Sequence, residues 1–349
     1  MNNFFAASNS AQGFCSYYKD CFSSLDKLYI IKGGPGTGKS GFMRRILESA
    51  LERGYSVEKF YCSSDQYSLD GIILLRDGKS TGFIDGTSPH SFDMRIAGAV
   101  DNIINLGEFW NEDMLVEKRE EIIDISAKKS LEYEAAYKYL CLCGNLSAVI
   151  RLYMSECVNM DKMHHIAKKL TLNVENGEGY RARVRLVDSI GMRGRVRFDS
   201  FENSANKVFL FGDMFGAGNM MLEKIRDNLK AKKRDILISY DPICPDKING
   251  LLDTRLGYAY ILSDERASGV GEMKEVTHVN MKRFVLGERL AERKGDIKYA
   301  YALYKKSLLG ALDTFTKIEK HHFALEKIYG TAMDFSKVDS LTEAYINKI

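Results

Sequence analysis

The eight residues Gly33-Gly34-Pro35-Gly36-Thr37-Gly38-Lys39-Ser40 fit the pattern G-x-x-x-x-G-K-S/T without a gap. No other stretch restricts the possible folds of the chain so tightly. The pattern requires a strand before it and a helix after it. Both are signalled: Leu28 to Ile31 is a short apolar run of strand type, and Gly41 to Arg53 reads as a helix closed by Gly54. Glycines let backbone N–H groups turn inward on an anion where a Cβ would obstruct. The helix after the loop points its positive dipole end and its free N–H groups at the same place. The spacing predicts a phosphate cradle in which Lys39 reaches the β- and γ-phosphates of a nucleotide and the Ser40 hydroxyl ligates Mg²⁺.

The cradle has an echo. Leu28 to Ile31 maps onto Val208 to Phe211, a separation of 208 − 28 = 180 residues. At that separation Gly36-Thr37-Gly38 falls on Gly216-Ala217-Gly218, and Leu106-Gly107-Glu108 on Leu286-Gly287-Glu288. With one residue of slip, Leu69 to Ile73 falls on Ile248 to Leu252. The shared order predicts a tandem duplication with a junction near residues 173–180, where glycine and polar residues signal a turn. Residues 1–175 and 176–349 are the expected units, and 349 residues suit two domains.

Within the first unit, strands are expected at Phe4–Ala7, Val57–Cys62, Ile72–Leu75 and Ser80–Ile84, with a loop or helix over 13–24. Asp70-Gly71 and Asp77-Gly78 read as turns. From about residue 97 to Leu170, and again from about 280 to 349, the pattern is helical. The Glu/Lys pairs over 115–140 suggest the solvated face of a helical hairpin, and Ser340 to Glu343 suggests a capping box. The predicted class is α/β: two tandem P-loop NTPase-like repeats with largely parallel sheets, each followed by a helical segment.

In the second copy the alignment puts Asn219 at the Lys39 position, Met220 at the Ser40 position and Asp213 opposite Gly33. Asn carries no charge for a triphosphate and Met offers Mg²⁺ no hard oxygen, so one nucleotide site is expected. The first copy needs a carboxylate on the metal side. Asp85, ending an apolar strand, is one candidate; Asp65, shortly after the strand that ends at Cys62, is the other. His90 could orient water, and Arg76 and Arg95 could neutralise a transferring phosphate.

A net charge of +3 does not favour nucleic acid. The alternating arginines 181, 183, 185 and 193, 195, 197 read as a half-buried hairpin with a solvated basic face. Seven cysteines without a C-x-x-C pair suit buried thiols in a reducing cytoplasm rather than zinc. The adjacent pairs His164-His165 and His321-His322 point to different helix faces and do not chelate alone. The first residues lack a signal-peptide pattern, and no apolar run reaches membrane-spanning length.

One more set of words recurs in order: Phe4 to Asn9, Lys32 to Ser40, Tyr61 to Asp65, Ser68 to Gly71, Asp85 to His90 and Asn105 to Glu108. Over nearly its whole length the chain resembles a family of poorly characterised bacterial ATPases built from two P-loop repeats and sometimes labelled nucleotide kinases. The resemblance implies ATP binding and an NTP-hydrolase fold in both halves; it supplies no substrate. The chain departs from the family where the second loop lacks a lysine. The expected activity is Mg-dependent ATP hydrolysis at the first repeat, with Lys39, Asp85 and Asp65 in the chemistry and Ser40 and Asp85 on the metal. The alternatives are transfer of the γ-phosphate to a small molecule, or an ATP-dependent scaffold for a small-molecule or protein partner.

Overall fold

The computed structural model describes residues 2–89, 92–263 and 275–349. The first half runs β1 (Asn2–Phe5), β2 (Ala7–Ser10), β3 (Gly13–Ser16), α1 (Tyr18–Phe22), β4 (Lys27–Lys32), α2 (Lys39–Glu52), β5 (Ser56–Tyr61), β6 (Leu69–Arg76), β7 (Lys79–Asp85), β8 (Asp101–Asn105), α3 (Glu112–Glu117), α4 (Arg119–Glu156) and α5 (Met160–Leu170). The second half runs β9 (Arg181–Val184), β10 (Asp188–Gly191), β11 (Gly194–Arg197), α6 (Ser200–Ser204), β12 (Lys207–Gly212), α7 (Ala217–Ala231), β13 (Asp235–Tyr240), β14 (Ile248–Asp253), β15 (Tyr258–Ser263), β16 (Glu275–Val279), α8 (Gly287–Thr331) and α9 (Phe335–Ile346). The protein is α/β, with two mixed sheets of six strands.

The sheets share one strand order: β1-β5-β6-β7-β4-β8 in the first, β9-β13-β14-β15-β12-β16 in the second. In each, one strand (β6 or β14) runs against the other five. A two-residue-loop hairpin, β2–β3 or β10–β11, accompanies each sheet. The two sheets meet edge to edge where Phe5 and Leu186 exchange backbone hydrogen bonds of 2.8 and 3.3 Å.

The long helices α4 and α8 pack antiparallel, as their ends show. Asn111 N donates to Ala332 O and Asp334 N to Phe109 O, while Leu286 N donates to Cys157 O and Asn159 N to Phe284 O, all at 2.8 Å. Each long helix therefore delivers the short helix after it to the other half. Helix α5 lies on α7, with Met163 and Ala167 buried among Phe209, Ile225 and Ile236 of the second half. Helix α9 lies on α2, where Val338 and Tyr345 join Phe42 and Phe83 of the first half. Arg53 fastens that contact by donating to Ile346 O and Ile349 O at 2.7 Å. A third core cluster mixes Phe4, Ile30, Phe60 and Ile84 with Val187, Phe201, Val208 and Ile261. The packing crosses the 175/176 boundary throughout.

Several local expectations are overturned. Asp70-Gly71 is no turn but the start of β6, at a bulge opposite Phe60 and Tyr61. Glycine is needed there because a Cβ would stand 2.8 Å from the Phe22 ring. The stretch after residue 97 is not all helix: Asp101–Asn105 is β8, parallel to β4, with Ile104 buried. Leu106-Gly107-Glu108 and Leu286-Gly287-Glu288 are not equivalent, since the first forms a 3-10 turn and the second opens α8. The counterpart of Phe109 is Phe284, 284 − 109 = 175 residues on, because connections differ in length between the halves. Asp334, not Ser340, caps the last helix: its carboxylate accepts from the backbone N–H of Ser336 and Lys337, while Ser340 sits inside the helix. The arginine strands do not form one hairpin with a basic face. Strand β9 joins the large sheet, and carboxylates neutralise the guanidinium groups: Arg185 with Glu58 (2.9 Å), Arg195 with Asp188 (2.5 Å) and Asp241 (3.2 Å), Arg197 with Asp199 (2.7 Å) and Glu202. Among the described residues no helix is long and apolar enough to cross a membrane.

This interleaving predicts the behaviour of fragments. Residues 1–175 alone would leave α5 without α7 and α2 without α9, exposing Met163, Ala167 and Phe42, which are almost fully buried in the full chain. That fragment is expected to self-associate and to melt without cooperativity, as read by light scattering and a thermal scan. A monomer with a sharp melting transition would contradict the exchanged packing.

Candidate functional site

The Gly33–Ser40 loop leaves the carboxyl end of β4 and enters α2, the end of an open α/β sheet where ligands gather. Gly36 (φ +71°) and Gly38 (φ +86°) take left-handed conformations, and Gly38 is the residue from which α2 starts. Lys39, the first helical residue, folds back so that Nζ donates to Gly33 O (2.9 Å) and Gly34 O (2.7 Å). Thr37 Oγ1 donates to Gly34 O at 2.9 Å, and Thr87 Oγ1 to Gly33 O at 2.9 Å. The Ser40 hydroxyl accepts from Leu69 N at 2.9 Å, which ties the head of α2 to β6.

Asp85 ends β7, the strand beside β4, so its carboxylate stands at the same sheet edge. Its Oδ2 lies 3.5 Å from Lys39 Nζ, and its Oδ1 accepts from Thr87 N at 2.8 Å. Asp65 follows β5 at this edge, but its carboxylate accepts from Tyr67 N at 3.4 Å within its own turn. No contact joins Asp65 to Lys39 or Ser40 among the described residues. Arg76 and Arg95 stand at the opposite end of the sheet. Arg76 closes β6 beside Asp77, and Arg95 pairs with Asp101 at 2.6 Å, holding that carboxyl below its ordinary range. His90 lies outside the described residues. Among the described residues no cluster of three His, Cys, Asp or Glu side chains is arranged to hold a metal ion.

Residues the sequence did not single out complete the surroundings. Asp70, only 5% exposed, lies in β6 beside Leu69, and its charge acts on the Tyr18 hydroxyl and the Cys62 thiol. Burial pushes both the Tyr18 and the Cys62 pKa well up, and the Asp70 charge adds to each shift. From above, the end of α8 covers the loop. A Cβ on Gly36 would lie 2.3 Å from Glu326 O, and one on Gly34 would lie 3.1 Å from the Tyr329 ring. Tyr329 also lines an open groove of about 410 Å³ with Trp110, Leu115, Val116, Ile122 and Ile123. No sequence signal marks α8 as a neighbour, because its reach depends on the exchange of helix ends; Asp70 was hidden by its resemblance to a turn residue.

The second loop is built differently. Between β12 and α7 there are four residues, Asp213 to Gly216, against six between β4 and α2. Gly216 (φ +90°), not Gly218, is the counterpart of Gly38. The first two helical residues, Lys39 and Ser40 in α2, are Ala217 and Gly218 in α7, and neither brings an ammonium or a hydroxyl to the loop. Asn219 is buried and donates to Ile248 O at 2.9 Å, a structural bond. Asp213 Oδ1 accepts from Gly216 N (3.0 Å) and Gly218 N (3.3 Å), so the chain's own carboxylate occupies the N–H groups at this helix start.

Comparison with known protein families, curated proteins and solved structures finds no match in any of the three. The contrast between the loops is open to a direct test. Asp213→Ala removes the acceptor for two N–H groups and is expected to lower stability by about 1 kcal/mol. A urea denaturation midpoint equal to that of the parent would argue that water satisfies those groups equally well.

Proposed function

We propose that the chain is a P-loop NTPase with a single nucleotide site, in its first half, where it binds Mg-ATP and hydrolyses it. The observation that carries this reading is the contrast between the two loops. The first has six residues, a left-handed glycine ahead of Lys39, and Asp85 3.5 Å from that lysine. The second has four residues, no lysine, and Asp213 on its own N–H groups.

The residue types suit a magnesium–triphosphate ligand. Backbone N–H groups of Gly36 to Ser40 and the start of α2 would hold the phosphates. Lys39 would exchange its bonds to Gly33 O and Gly34 O for phosphate oxygens, a charge-assisted replacement for neutral acceptors. Ser40 and Asp85 are the hard oxygens for Mg²⁺, which when bound offsets charge on the β- and γ-phosphates. Asp85 is preferred to Asp65 in that role because it already neighbours Lys39. The α8 contact on Gly36 and Gly34 supports coupling between nucleotide occupancy and the second half, since a shift of the loop toward α8 meets Glu326 or Tyr329.

Calorimetry and phosphate-release assays test this together. Lys39→Ala is expected to abolish Mg-ATP binding, and Asn219→Ala to leave it intact. Equal loss in both would contradict a single site in the first half. Asp85→Asn is expected to reduce turnover by about a hundredfold or more and Asp65→Asn by little; the reverse ranking would move the metal-side role to Asp65. Phosphate release by the parent with Mg-ATP alone fits hydrolysis. Release only when a nucleoside or metabolite is added would make the enzyme a kinase, and binding with neither would leave a nucleotide-dependent scaffold.

A further inference from the structure

Where α8 crosses the loop, three side chains from both long helices form a line. Lys129 Nζ, on α4, lies 3.3 Å from His322 Nδ1 on α8. His322 Nε2 lies 3.4 Å from Glu326 Oε1, one turn further along. An imidazole carrying its proton on Nε2 satisfies both ends, accepting from the ammonium and donating to the carboxylate. The His322 hydrogen bond holds the Glu326 carboxyl below its ordinary range, and the charges of Lys39 and Lys129 act in the same direction. Burial, reinforced by the positive charge of Lys39, pushes the Lys129 pKa down against the pull of Cys62 and Glu326.

The charge arrangement is one-sided. Among the described residues Lys129 has no carboxylate within ion-pair distance; its side-chain contact is with the His322 imidazole. It is largely withdrawn from water, and the positive charge of Lys39 adds to the downward push on its pKa. Nearby carboxylates are engaged elsewhere: Glu326 with His322, Asp85 with Lys39 and Thr87. A partly buried ammonium without a carboxylate at ion-pair distance is relieved by an anion beside it. The backbone of Glu326 touches Gly36, which sets this line at the rim of the phosphate loop.

We propose that Lys129 is a second phosphate ligand, contacting from the helical pair the terminal phosphate of a nucleoside triphosphate held by Gly33–Ser40, with His322 and Glu326 as its positioning residues. The inference rests on the nucleotide reading of that loop. The ligand would then be held from two sides, by the first sheet through Lys39 and by the α4–α8 pair through Lys129.

The test compares the full-length parent, Lys39→Ala, Lys129→Met and Lys129→Arg by calorimetry with Mg-ATP and with inorganic tripolyphosphate, alongside thermal melts without ligand. Lys129→Met is expected to weaken both ligands by about tenfold or more, with Lys129→Arg within about threefold of the parent. Without ligand, Lys129→Met should melt no lower than the parent, because it removes a partly buried charge that lacks a counter-charge. A Lys129→Met protein that binds as tightly as the parent, while Lys39→Ala does not bind, overturns the role of Lys129 and leaves the nucleotide site standing. A Lys129→Met protein that melts several degrees lower and is not rescued by Lys129→Arg makes Lys129 a structural residue and equally overturns the proposal. A parent that binds neither ligand overturns both readings.

Discussion

The length of α4 and α8 governs everything else in this molecule. At 38 and 45 residues, and about 1.5 Å per residue, they extend roughly 57 and 68 Å. That is about twice the breadth of a six-stranded sheet at about 4.8 Å per strand. A helix of this length cannot return its far end to the sheet it came from. It needs a partner of similar length, and the antiparallel pair supplies one. The short helix after each long one then lands on the opposite sheet, which is why α5 packs on α7 and α9 on α2. Ala136, Leu140 and Cys143 of α4 are buried along the seam with Ala311, Phe315 and Ile318 of α8. The cores at the two ends of that seam contain residues from both halves.

The same backbone frame carries two unlike loops. In the first, glycines take positive φ and a lysine at the first helical position folds back on the loop carbonyls. In the second, shortening by two residues draws Asp213 onto the helix start, and a carboxylate satisfies the groups that an external anion would otherwise bind. The unlike chemistry continues into the helical pair. Lys129 and His322 correspond to Tyr304 and Ser147 at the other end, each displaced by 304 − 129 = 322 − 147 = 175 residues. There Ser147 receives Lys247, and Arg151, the counterpart of Glu326, pairs with Glu223 at 2.8 Å. Among the described residues no second ammonium-and-imidazole line forms.

Much of this was legible in the sequence, within definite physical bounds. The strand–loop–helix around Gly33–Ser40 was readable because glycine, lysine and serine at that spacing have few other uses. The α/β alternation and the doubling were readable from short apolar words. Register was not, because each short loop difference moves every later residue: the offset is 180 at β4 and β12 but 175 at the helical ends. Asp70-Gly71 misled because a glycine that makes room for Phe22 has the same letters as one that turns the chain. Strand β8 was hidden by its length of five residues. The approach of Glu326 to Gly36 and of Lys129 to His322 could not be read at all, since both depend on how two helices far apart in sequence align along their seam.

The edge contact between Phe5 and Leu186 has a genetic consequence. These residues are equivalent in the two halves and meet face to face, as equivalent residues do across the two-fold axis of a homodimer. In a true homodimer every substitution is printed twice, so improving one loop as a ligand site while sealing the other is impossible. Joining the halves in one chain lifts that constraint. Each position can then drift alone, and a lysine kept at one end of the molecule can sit opposite an aspartate that closes the other.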